Sequence, residues 1–97
     1  MNIEFNEEFR WQQEWITFPA SVDGVDVIIR VTRNALDDRF HADANRESEE
    51  SAYNRNRDTI REIARHMLAA GEREDDGSVV ITSEAVIRYD PTLARAF

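Results

Sequence analysis

Cysteine is absent from this chain of 97 residues, lysine is absent too, and there are only three glycines and two prolines. Each shortage excludes something. Without cysteine there is no disulfide framework, no thiol nucleophile and no thiolate metal site. Gly24, Gly71 and Gly77 each stand where a turn or a helix end needs them, so no glycine-rich loop is left to cradle a phosphate. No apolar run approaches the ~20 residues of a membrane span, and the acidic N-terminal stretch does not read as a signal peptide. A soluble protein of the cytoplasm is expected, built as one domain over residues 1–97.

Charge is what the chain has in abundance. Twenty Asp and Glu outnumber twelve Arg, for a net charge of -8. Arginine keeps its charge and presents a rigid fork, which favours bidentate ion pairs. A field this negative argues against direct binding of nucleic acid or of an anionic membrane, and it leaves a basic protein surface as an admissible partner.

The stretch from Ile16 to Val31 pairs with itself when folded at Asp23-Gly24. Val22 then falls opposite Val25, Ala20 opposite Val27, Phe18 opposite Ile29 and Ile16 opposite Val31. One face of the ribbon is apolar throughout, and Asp-Gly suits a type I′ turn. Strands are expected over 15–22 and 25–31. Pro19 falls where its missing N–H points away from the partner strand, as on an edge strand, which sends a third strand to the side of 25–31.

Ile3 and Phe5 alternate with polar neighbours as a short strand, and 6–13 reads as a turn or irregular segment. Thr32 is a good N-cap for a short helix carrying Ala35, Leu36 and Phe40, and 41–45 is a loop. A long helix is expected from about residue 46 to 70, stopping at Gly71. Its apolar stripe is Tyr53, Ile60, Ile63, Ala64, Met67 and Ala70, at helical spacing. An acidic linker over 72–76 leads to a β-rich run at 78–82, the third strand. Ser83 could cap a helix beyond it, while 85–89 could equally extend the sheet as a hairpin partner. Asp90-Pro91 opens a final helical turn with Leu93 and Phe97. The order predicts an α+β fold of two layers: a small antiparallel sheet, the hairpin plus a third strand, packed on one long helix, with a short helix before it and a short C-terminal helix.

Several pieces carry a family likeness: Ile3-Glu4-Phe5, Phe18-Pro19-Ala20, Val22-Asp23-Gly24-Val25, Ala35-Leu36 with Phe40, Asn56-Arg57 followed by Ile60, and Asp76-Gly77-Ser78-Val79. With these the chain resembles the small proteobacterial proteins grouped as domain-of-unknown-function family 1488. The resemblance implies a compact bacterial α+β domain and carries no activity; nothing is carried over to the tail from Ala85 onward.

Three candidate sites stand out. Trp15, Pro19 and Ile28, with Arg30 beside them, fall on the outer face of the hairpin and have the composition of an interface hot spot. Either this patch is open, with self-association as its use, or the N-terminal segment with Ile3, Phe5, Phe9 or Trp11, or the C-terminal helix, folds over it. Asn56 falls on the buried stripe, where its amide should hold a loop near His41 or Gly77. Arg57, Arg61 and Arg65 then form a ladder able to grip a phosphate or carboxylate. Asp58 and Glu62 interleave with that ladder, so a solvated face of ordinary ion pairs is the plainer interpretation. Last, His41 with Asp43 and Glu62 with His66 would make a zinc site if they converged. Neither pair has a recognised ligand spacing, and exposed polar residues near a helix end explain them as well.

No catalytic, cofactor-binding or metal residue set is therefore expected. The favoured class is a non-catalytic interaction or accessory domain whose partner is another protein or itself, as a homodimer. The alternative is an acidic inhibitor that mimics a nucleic acid, presenting Glu47, Glu50, Glu72, Glu74, Asp75 and Asp76 to a nucleic-acid-binding protein. An enzyme built on His41, Asp43 and His66 ranks third.

Overall fold

Asp23 and Gly24 both adopt positive φ, 51° and 84°, the pair of left-handed residues that a type I′ turn requires. The computed structural model describes residues 1–89. In chain order these form β1 (Ile3–Phe5), β2 (Arg10–Gln12), β3 (Trp15–Val22), β4 (Val25–Thr32), α1 (Arg33–Arg39), α2 (Arg46–Arg55), α3 (Arg57–Ala69), β5 (Val79–Ile81) and α4 (Ser83–Tyr89). The helical turn expected from Asp90 to Phe97 lies outside the described residues. β3 and β4 pair in the expected register, from Val22 with Val25 to Ile16 with Val31, and on to Trp15 with Thr32.

The sheet departs from expectation in two ways. It is mixed rather than antiparallel: β5 joins β4 in parallel, with Ile29 beside Val79 and Val31 beside Ile81. Three helices separate these strands in the chain, and a crossover of that length permits a parallel return. The sheet is also broader, because β1 and β2 both pair antiparallel with β3. The segment 6–13 is therefore not wholly irregular, and β3 is not an edge strand.

Proline is tolerated inside β3 because its outer neighbour breaks opposite it. β1 stops at Phe5 beside Ala20, and β2 resumes at Arg10 beside Thr17. Between them the chain bulges. The Asn6 N–H donates to the Pro19 carbonyl at 3.0 Å, and Asn6 Oδ1 accepts from the Glu8 N–H at 2.9 Å. The donor that Pro19 lacks would have pointed into this gap.

Thr32 caps α1, its Oγ1 accepting from the Ala35 N–H at 3.1 Å. The single long helix is in fact two. Asn45 caps α2 by accepting from the Ser48 N–H at 2.9 Å, and the chain kinks at Asn56, with φ -111° and ψ 20°. The Asn56 amide donates to the Ala52 carbonyl at 2.8 Å, which also receives the Asn56 backbone N–H at 3.1 Å. A side chain that competes for a helical acceptor bends the helix there.

α3 ends in a Schellman turn. Gly71 has φ 72°, its N–H donates to the Leu68 carbonyl at 3.2 Å, and the Glu72 N–H donates to that of Met67 at 2.9 Å. Residues 83–89 are helical, and the cap is Thr82 rather than Ser83: Thr82 Oγ1 accepts from the Ala85 N–H at 3.2 Å.

The inner face of the hairpin, the buried faces of all four helices and Val79 and Ile81 of β5 join one apolar cluster. Every described helix thus stands on the same side of the sheet. Tyr53, 1% exposed, packs its ring on Phe18 at 5.7 Å. Ala70 is exposed, against expectation, and Leu68 is buried in its place, because the chain is already turning away at the end of α3. Each large side chain buried in this layer contributes about 1.5–3 kcal/mol.

Candidate functional site

Strand alternation puts Trp15, Thr17, Pro19 and Ser21, with Asp26, Ile28, Arg30 and Thr32, on the face away from the helices. Phe5, Phe9 and Trp11 do not fold over them. They pack toward the helix side, partly buried against the core. Ile28 remains 40% exposed beside Pro19. In that row the sheet is only two strands wide, since β1 has ended and β5 begins one residue further along.

Arg30 is held rather than free. Its Nη1 donates to Ser78 Oγ at 2.6 Å and to Asp76 Oδ2 at 3.3 Å, and its guanidinium lies 5.4 Å from the centroid of the Trp15 ring. Asp76 also accepts from the Ser78 N–H at 2.9 Å. The bonds from Ser78, with Arg30 adding to them, hold the Asp76 carboxyl below the usual range. The turn before β5 therefore clamps Arg30 over Trp15, and the arginine contributes a flat, charge-compensated edge to the apolar patch.

The arginine ladder is occupied from within. Glu7, at the tip of the bulge, lies 3.1 Å from Arg57 and 3.6 Å from Arg61. Arg57 faces the Phe9 and Tyr53 rings, and Arg61 and Arg65 face Phe5. Arg57 and Arg61 thus meet a carboxylate of the same chain, while Arg65 pairs with Glu62 at 3.4 Å, one of the ordinary helix-surface ion pairs expected there. Asn56 does not reach a loop: it is half-buried and bonded back to Ala52.

A polar cluster that sequence reasoning missed lies under α1 and α2. Glu49 is fully buried and accepts from Arg33 Nε at 2.8 Å, and Arg33 also meets Glu14 at 3.3 Å. Burial, together with the Asp37 carboxyl nearby, pushes Glu49 above the ordinary glutamate range despite Arg33. The signal was present in the sequence: Glu49 precedes Ala52 and Tyr53 by three and four residues, on the apolar side of its helix. Trp11 sits nearby between Arg33 and Arg46, its indole N–H donating to Glu50.

Among the described residues no three His, Asp or Glu side chains gather into a metal-holding group. His41 is exposed, and His66 stacks on Tyr89 with the rings 6° from parallel. Of the six carboxylates named for a nucleic-acid mimic, three are engaged internally: Glu50 by Trp11, Glu72 by Arg88 and Asp76 by Arg30 and Ser78. No described helix is long and apolar enough to cross a membrane.

The order of these elements matches known proteins. The family profile described as Protein of unknown function (DUF1488) matches residues 3–81. The chain belongs to that family. A crystal structure of a DUF1488 protein of unknown function from Shewanella loihica PV-4 superposes with a TM-score of 0.75 at 21% identity, covering 84% of this chain and 94% of that one. The family profile runs from β1 through β5 and thus includes the sheet face that points away from the described helices. Among curated proteins nothing matches the chain.

Proposed function

We propose that this chain is a non-catalytic interaction module of the cytoplasm that meets other proteins through the open face of its sheet, with a second copy of itself as the first partner. One observation carries the proposal. Ile28 stays exposed beside Pro19 where the sheet is narrowest, while Arg30 is clamped over Trp15 at the same face. An aromatic, an arginine and an aliphatic residue on one rigid surface are the residue types around which interface energy concentrates. A strand pair holds them in place more rigidly than a loop would, so little order has to be acquired on contact. The negative field of the chain disfavours nucleic acid and anionic lipid as direct partners.

Size-exclusion chromatography with light scattering on the wild type, Trp15→Ala and Ile28→Asp tests this. Wild-type mass above that of one chain, falling toward the monomer in both variants, is expected. A monomer in all three, or an oligomer indifferent to both substitutions, contradicts it.

A further inference from the structure

Pro19 has a consequence beyond the break in the ladder. Where the outer neighbour bulges away, a notch of about 220 Å³ opens in the sheet, with Phe9, Phe18, Pro19 and Ile28 among its walls. Glu8 and Arg10 line the same notch. Both are exposed, and among the described residues neither side chain has an ion-pair partner.

We infer that this notch recognises a second copy of the chain: across a two-fold axis, Ile28 of each protomer seats in the notch of the other, and Glu8 and Arg10 of one protomer meet Arg10 and Glu8 of its partner. This rests on the open-face reading above and specifies the contact within it. Three features favour a second copy as occupant. Ile28, 40% exposed, forms part of the rim of its own recess, so a two-fold axis beside it brings each Ile28 over the recess of the other protomer and fills both at once. The flanking charges are one of each sign, and the same axis sets them in opposite-sign pairs at both ends, fixing the register. The patch also carries little net charge, because Arg30 is compensated by Asp76 and Glu8 balances Arg10, with Asp26 the acid left over beside Ile28. Two chains of charge -8 approach with least repulsion at such a surface.

Sedimentation equilibrium on the full chain tests the pairing with wild type, Glu8→Arg, Arg10→Glu and the doubly exchanged variant. Each single exchange sets like charges together at both ends of the axis and should weaken association by about tenfold or more, while the double exchange should restore it to within about threefold. Circular dichroism should show the same fold in all four, since both side chains are exposed. A wild-type dimer that ignores the single exchanges, or a double variant that stays as weak as the singles, overturns the notch contact and leaves the open-face proposal standing. A wild type that remains monomeric at every concentration overturns both.

Discussion

Glu49 sits with one carboxyl oxygen on Arg33, while its Oε2 is buried without a donor among the described residues. Burial, and the Asp37 carboxyl nearby, disfavour a further negative charge there and so favour a proton on Glu49. The folded chain therefore binds that proton more tightly than the unfolded chain does. The associated stability is full below the ordinary glutamate value of 4.5 and is lost as pH rises through the raised native value. Glu49→Gln supplies a neutral group of the same shape, able to accept from Arg33 without burying a charge. Its melting temperature should exceed that of the wild type at about pH 8, with the gap closing as pH falls toward about 4. Scanning fluorimetry across that range measures it, and a gap that does not vary with pH contradicts the raised value of Glu49. Asp76 works in the opposite direction: its lowered value means that its contribution is present at neutral pH and is lost on acidification through that lowered value.

Local elements were the most legible in the sequence. The β3–β4 hairpin could be read because its turn chemistry and its apolar pattern agree over neighbouring residues. The caps at Thr32 and Gly71 likewise act within a few positions of themselves. β2 escaped because three residues with one apolar side chain carry no period. The kink at Asn56 escaped because a side-chain amide and a backbone N–H there compete for a single carbonyl, a contest that spacing does not reveal. Gly71→Ala tests the end of α3. A Cβ there meets nothing within 4 Å, so the cost is conformational alone, about 1 kcal/mol by urea denaturation. A change near zero would show that the turn relaxes without its left-handed residue.

At the scale of the whole molecule, two layers and the face that meets the helices were readable, but the direction of β5 was not. Parallel or antiparallel return depends on where three intervening helices leave the chain, and no local pattern encodes that. The outer face was legible as a patch of Trp15, Pro19, Ile28 and Arg30. The clamp from Asp76 and Ser78 was not, because it joins residues 46 and 48 positions apart. Packing of the helix layer should dominate stability: Ile63→Ala, at a site with no exposure, should cost about 2–5 kcal/mol. A cost below about 1 kcal/mol in chemical denaturation would mean that α3 is loosely docked.

The most direct test of the open face is an NMR dilution series on the wild-type chain, following backbone amides and the Ile methyl groups. Shifts that depend on concentration should be confined to Glu8, Arg10, Trp15, Thr17, Ile28 and Arg30, with the methyls of Ile60 and Ile63 unmoved. Spectra that do not change with concentration, or changes centred on the helix layer, would contradict it.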